Sequence, residues 1–285
     1  MIHTIREIGL IYKMRYKKPP NHDFRKAKKP AKEIIWLYGI HPVNAALTNP
    51  NREIISLMIT ENTIKKLRMD LLPDEIKNLI SIVDKSKIDS IVGEDKVHQG
   101  IIVETKAQKN PELDDIIKIC ASKKYSNIII LDNITDPHNI GAISRSAYGF
   151  EATAIILPKN GAPLESGTMA KAASGALDLI PILRVTNLNR SINILQKNGF
   201  CSVGLESKAK TEISDEKLPN KCLLILGSEG RGIRKLVREN CDTFVRLPVS
   251  EDLESLNVST AASIAMYEWQ RQIRQRKTNS TEREQ

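Results

Sequence analysis

Apolar positions along this chain fall into two alternating blocks joined by a more polar connector. In the first block, Ile34-Ile35-Trp36-Leu37-Tyr38, residues 53–59 (Glu-Ile-Ile-Ser-Leu-Met-Ile) and residues 100–104 (Gly-Ile-Ile-Val-Glu) have the length and β-branched content of strands. Helix-like stretches at 42–48 and 62–69 follow the first two, which predicts a small α/β domain over 34–106. Residues 107–124 read as a linker, partly helical through Leu113–Cys120. A second alternation then begins, with apolar runs at 127–131, 153–157, 179–185, 200–205, 222–226 and 243–247 separated by segments of helical length. Runs without polar alternation suit strands buried on both faces of a parallel sheet. The second domain, 125–270, is expected to be an α/β layer structure.

Charge refines this division. The 285 residues carry 43 Lys plus Arg and 34 Asp plus Glu, a formal net charge of +9. Residues 1–33 alone hold ten cations and three acids, and residues 271–285 hold five cations and two acids. The body between them is therefore close to neutral, at −1. A basic, flexible arm and a basic tail of this kind suit a polyanionic partner, because each phosphate neutralised releases condensed counterions. Solvated ends that only aid solubility account for the same composition. A mean hydropathy of −0.29 and apolar runs far shorter than the roughly 20 residues of a spanning helix exclude a membrane-spanning chain. Cys120, Cys201, Cys222 and Cys241 include no C-x-x-C pair and no histidines at metal-binding spacing, so no zinc site or disulfide framework is expected, and a reducing compartment is the simpler assumption. The cytoplasm is the expected location. A mitochondrial presequence is the minor alternative, against which Glu7 and Asp23 count.

Ligands of open parallel sheets bind outside the carboxyl ends of the strands. Three such places are chemically unusual here. After 127–131 comes Asp132-Asn133-Ile134-Thr135-Asp136-Pro137-His138-Asn139, entering a helix rich in small residues (Gly141, Ala142, Ser144, Ser146) that also carries Arg145. Such a helix N-terminus can receive a ligand, although a capped βα turn with Asp136 as cap and Pro137 at the first helical position explains the same residues. After 222–226 comes Gly227-Ser228-Glu229-Gly230-Arg231-Gly232, whose glycines let backbone approach a ligand. Its spacing is neither that of a Walker A loop nor that of a dinucleotide-binding turn. Leu247-Pro248-Val249 and Ser255-Leu256-Asn257-Val258-Ser259-Thr260 form the third place, where Asn257 and Ser259 open a helix of small residues.

Taken together, the three stretches resemble the three motifs of the SpoU/TrmH family of RNA ribose 2′-O-methyltransferases, in order and over nearly all of 125–270. Residues 34–106, with Tyr38-Gly39-Ile40-His41-Pro42-Val43 near the start and His98-Gln99-Gly100-Ile101 near the end, resemble that family's small RNA substrate-binding domain. Within the family the likeness is greatest to enzymes that methylate a guanosine ribose of large-subunit rRNA. The resemblance implies a deep trefoil knot at the carboxyl end of the parallel sheet, a homodimer, and S-adenosyl-L-methionine as cofactor. By position it implies Gly227, Leu247, Ser255 and Leu256 as cofactor-binding residues and Asn139, Arg145, Glu229, Asn257 and Ser259 as catalytic residues. Thr260 departs from the valine common in relatives, and His138 occupies a position that tolerates many residues. No metal is called for.

The implied reaction is transfer of a sulfonium methyl to a ribose 2′-hydroxyl. A tRNA substrate and a non-catalytic RNA-binding or ribosome-assembly protein of the same fold are the competing readings. The small domain favours rRNA, and the retained motif residues speak against loss of chemistry. If the arm grips RNA through phosphates, deleting residues 1–33 will weaken RNA binding and flatten the dependence of log Kd on log salt by several units, at about 0.7–0.9 for each phosphate the arm neutralises, with cofactor affinity unchanged. Binding titrations of full-length and truncated chains across a salt series measure this.

Overall fold

The computed structural model describes residues 34–65, 72–250, 252–253 and 255–281, so the arm 1–33, the second half of the expected helix 62–69 and the last four residues lie outside the described residues. The chain divides into two units, Met1–Lys109 and Asn110–Gln285.

In the first unit, β1 (Ile34–Tyr38), β2 (Ile54–Ile59), β3 (Ile80–Ile82) and β4 (Ile101–Lys106) form a sheet in the order β1-β4-β2-β3. Strand β4 runs antiparallel to both neighbours, with Leu37 and Leu57 flanking Val103 on one rung and Tyr38 and Met58 flanking Ile102 on the next. Successive rungs face opposite sides of a pleated sheet. Tyr38 and Ile102 therefore pack with Ile88 of α4 (Lys85–Val92) on one face. Leu37, Leu57 and Val103 of the opposite rung are fully buried, as are Val43 and Ala46 of α1 (Ile40–Thr48), a helix that contacts β1 and β4. Short helices α2 (Glu61–Ile64) and α3 (Asp74–Lys77) complete the unit. Strand β3 and helix α4 have no long apolar run, and the sequence pattern did not announce them.

The second unit begins with α5 (Leu113–Ala121), β5 (Ser126–Asp132), α6 (Pro137–Gly149), β6 (Ala154–Pro158) and α7 (Gly167–Ala173). It continues with β7 (Ile182–Val185), α8 (Leu188–Lys197), β8 (Cys201–Leu205), β9 (Thr211–Glu212), β10 (Lys221–Gly227), α9 (Lys235–Arg238), β11 (Thr243–Arg246) and α10 (Val258–Thr281). The seven strands pair in the order β7-β6-β5-β10-β8-β11-β9, every pair parallel. All seven residues of β5 are buried, as an unbroken apolar strand at the centre of a covered sheet requires. Helix α5 lies in the stretch read as a linker, yet Ile116 and Cys120 belong to the core of this unit. The expected strand 179–185 shortens to Ile182–Val185. Leu179 and Ile180 donate back to Ala176 in a 3₁₀ turn, and Pro181 has no amide to offer a ladder. Residues 271–281, read as tail, continue α10, in which Trp269 and Ile273 are buried and Trp269 donates to the Pro219 carbonyl. Among the described residues no helix is long and apolar enough to cross a membrane.

Helix α6 crosses α7 at Gly141, where a Cβ would meet the Met169 carbonyl and the Ala172 side chain. Gly141→Val is expected to cost about 1–3 kcal/mol through overpacking, read as a lower urea midpoint with the m-value unchanged.

Candidate functional site

The order of the second sheet reverses beside β5. The chain steps outward through β6 and β7, then returns to the other side, where β10 inserts between β5 and β8. The crevice at the carboxyl ends of β5, β10 and β8 is therefore the place for a ligand. There Asp132, the last residue of β5, lies in register with Gly227, the last of β10. Asp132 is fully buried, and both its oxygens are used: Oδ2 accepts from the Arg234 amide at 2.8 Å and Oδ1 from Arg234 Nε at 2.7 Å. The loop 228–233 is pinned at its far end by this clamp. Within it the Gly232 amide closes onto the Ser228 carbonyl at 2.8 Å, with Gly230 and Gly232 at positive φ. A side chain at Gly227 would overlap the Gly232 backbone, so the strand end and the loop touch main chain to main chain.

Held this way, Glu229 meets the starts of two helices. Asp136 caps α6 through the His138 amide at 2.8 Å, and Asn139 follows in the first turn. Asn257 caps α10, its Oδ1 accepting from the Ser259 amide at 2.9 Å and from Ser259 Oγ at 2.6 Å. Glu229 Oε1 accepts from Asn257 Nδ2 at 2.9 Å, Asn139 Nδ2 at 3.3 Å and the Val258 amide at 3.3 Å, and Asn257 Nδ2 also donates to Asn139 Oδ1 at 3.1 Å. A carboxylate at the N-terminus of α10 is electrostatically favoured there. Three segments separated by 90 and 28 residues thus share one hydrogen-bonded cluster.

Beside the cluster opens a cavity of about 540 Å³, within the range of small-molecule sites. Gly227, Leu247, Ser255 and Leu256 line it, as do Glu229 and the strand-end residues Leu205 to Lys208. The structure thereby gathers the four residues expected at the cofactor and four of the five expected at the chemistry. The fifth, Arg145, is exposed on α6, about 9 Å further along the helix axis than Asn139. It makes no hydrogen bond to Asn139 or Glu229, so these two hold each other and Asn257. His138 is exposed.

Sequence reading placed Asp132 in the first stretch without giving it a role, and passed over Arg234 and the 205–208 turn. An acid ending a wholly apolar strand was the available sign of the first, and a polar turn after an apolar strand the sign of the last. Burial raises the Cys120 and Cys222 thiols, and pushes Cys241 up to about 12, so none of these supplies a thiolate near neutral pH. No three His, Cys, Asp or Glu side chains among the described residues gather to hold a metal ion.

An all-parallel α/β unit with a ligand crevice at its switch point, a glycine-rich loop and a carboxamide–carboxylate cluster define a small-molecule site of the kind that α/β enzymes carry. Residues 126–267 match the model of the SpoU rRNA Methylase family, and residues 36–111 match that for RNA 2'-O ribose methyltransferase substrate binding. The chain belongs to the SpoU rRNA methylase family. Similar curated relatives include the 23S rRNA (guanosine-2'-O-)-methyltransferase RlmB of Haemophilus influenzae, 35% identical over 83% of this chain and 97% of the relative. The RlmB of Coxiella burnetii is 37% identical over 84% of this chain and 96% of its own. The AdoMet-bound rRNA methyltransferase from Sinorhizobium meliloti shares the fold, with a TM-score of 0.70 and 22% identity over 84% of this chain and 87% of that one. So does the SpoU methyltransferase AviRb from Streptomyces viridochromogenes, with a TM-score of 0.69 and 19% identity over 84% of this chain and 90% of that one.

Removing the Arg234 side chain leaves the buried Asp132 carboxylate with a single amide donor. Arg234→Ala should lower stability by about 2–3 kcal/mol, measured by urea unfolding.

Proposed function

We propose that this chain transfers a methyl group from S-adenosyl-L-methionine to the ribose 2′-hydroxyl of a guanosine in 23S-type rRNA. The observation that carries the proposal is the convergence of Asn139, Glu229, Asn257 and Ser259 beside a cavity lined by Gly227, Leu247, Ser255 and Leu256. The named activity of the relatives supports the substrate, as does the substrate-binding match over 36–111. The cavity suits the cofactor: an apolar wall from Leu247 and Leu256, a glycine strand end that leaves main chain accessible, and room in the range of small-molecule sites. When bound, the cofactor supplies an electrophilic methyl group.

The residues of the chain must then orient the hydroxyl, exclude water and favour loss of a proton held far more tightly than neutral pH allows. The Glu229 cluster fixes the wall against which the ribose is placed. Its geometry is preset by donors from two helix starts, so little reorganisation accompanies reaction. Arginine is protonated at any working pH and cannot act as the base. We assign Arg145 to an RNA phosphate, where its exposed guanidinium stabilises the developing alkoxide while the proton leaves through that phosphate or a water. Trefoil threading and a two-fold assembly belong to the same proposal. The insertion of β10 between β5 and β8 and the return of α10 onto α6 support the first. Exposed Tyr148, Ile264 and Tyr267 on those two packed helices support the second. We place the activity in the cytoplasm.

Mapping ribose methylation across rRNA and tRNA from cells lacking this chain is expected to show one lost 23S-type guanosine mark, restored by the wild type. A lost tRNA mark would move the substrate, and no lost mark would refute the activity. In purified enzyme, Arg145→Ala should lower the methylation rate by about 100- to 1,000-fold. Arg145→Lys, lacking the fork that grips phosphate at two points, should recover only a small part; a lysine variant near the wild-type rate would sink the clamp.

A further inference from the structure

We propose that the amino-end edge of the parallel sheet, remote from the Glu229 cluster, carries a second RNA-binding site, a cationic ridge that grips the phosphodiester backbone beyond the target nucleotide. This rests on the RNA methyltransferase reading above. Two segments far apart in sequence meet at Tyr125: Lys124 Nζ lies 5.5 Å from its ring centroid and Lys277 Nζ 5.4 Å. Lys221 opens β10 on the rung of Ser126, the residue after Tyr125, and its Nζ stands 5.9 Å from the ring of Phe200. Arg276 donates to Asn220 Oδ1 at 2.8 Å, which brings the end of α10 to the residue before Lys221. Lys123 and Lys221 both act electrostatically on the buried Cys120 thiol, which puts both near the C-terminal end of α5.

Cations from 123–124, 221 and 274–277 are thus collected by folding around one edge. Helix α10 carries no acid after Glu268, and Glu268 is taken by Arg271. Neither Lys124 nor Lys221 has an ion-pair partner among the described residues. For Lys124 and Lys221 an aromatic face offsets the charge only in part. A polyanion offsets it further and releases its own counterions. None of the large exposed apolar side chains of the described residues lies in these segments, so the ridge lacks the anchors that insertion into a lipid surface uses. RNA is the polyanion already at hand.

The ridge and the cluster stand at opposite ends of β5, whose seven residues span about 20 Å. A substrate reaches both only if it extends that far past the methylated ribose. The ridge should therefore matter for long RNA and not for a short stem-loop. The test uses the full-length chain bearing Lys124→Gln, Lys221→Gln and Lys277→Gln together, the same three positions changed to Arg, and a control with the exposed cation Arg190→Gln near the start of α8. Affinities for full-length 23S-type rRNA and for a short stem-loop carrying the target nucleotide are measured between about 50 and 200 mM salt.

For the glutamine variant we expect rRNA binding weakened about tenfold at the lower salt and a log–log salt slope smaller by about two to three units, at about 0.7–0.9 for each phosphate the ridge neutralises. Its affinity for S-adenosyl-L-methionine and its rate on the stem-loop should equal those of the wild type. The arginine variant and the control should keep the wild-type slope per remaining charge. A wild-type slope in the glutamine variant, an equal loss on both RNAs, or a loss in the arginine variant would each overturn the ridge. So would unchanged rRNA binding accompanied by lost binding to anionic lipid vesicles. A wild-type chain that methylates no RNA would refute the catalytic reading instead, while the salt slope would still report on the ridge.

Discussion

The carboxylate of Asp132 ends the central strand fully buried, and its compensation among the described residues is Arg234, 102 residues later. A buried charge of this kind is tolerated only with both a counter-charge and hydrogen bonds. Arg234 supplies all of them, from its guanidinium and its own amide. Because β10 runs in register with β5 and stops at Gly227, the intervening loop has to leave the sheet and return within six residues to satisfy Asp132. That short path throws Glu229 outward toward α6 and α10. The position of the candidate catalytic carboxylate is thus a consequence of neutralising a structural one.

The division of labour follows from solvent. Beneath the crevice the strands are apolar on both faces, packed into a core that fixes their spacing. Above it the chain is polar, and its groups find partners in one another: Asp136 and Asn257 cap two helices, and Asn139, Asn257 and the Val258 amide converge on one oxygen of Glu229. Each cap is a local event that any helix start makes. Their meeting is tertiary, and it requires the switch-point order that puts β10 next to β5.

Strands buried on both faces could be read from sequence because their apolar runs are unbroken; β5, β6, β8 and β10 lie within a residue or so of the expected runs. Elements without such runs were missed. Strand β3 has one half-buried residue and two exposed ones, and β9 has only two residues, both with polar side chains. The helix expected within the linker, Leu113–Cys120, is present as α5, and what the sequence did not show is that its Ile116 and Cys120 pack into the core. At the site, the motif spacing carried the residue types but not their bonding. Nothing in the order of residues says that Asn139 and Glu229 bind each other rather than Arg145, since side-chain pairing over 90 residues depends on where two strands end.

The net charge of +9 describes the molecule poorly until it is placed on the fold. Arg271, Arg274, Arg276 and Lys277 look like the start of a solvated tail when only composition is considered. In the folded unit they extend a helix whose Trp269, Gln272 and Ile273 are buried against the sheet edge, and Gln272 bonds the Glu216 carbonyl and the Leu218 amide. Their direction is set by that packing. A flexible tail presents charge at an average concentration around its anchor, whereas a packed helix presents it at a fixed distance from the crevice. Because electrostatic attraction between exposed groups fades within roughly 8–10 Å at moderate salt, charge fixed about 20 Å from the crevice adds little to the pull on the reacting nucleotide itself. It acts on whatever part of the polyanion lies directly over it, and so reports the length and course of the RNA rather than the identity of the methylated base.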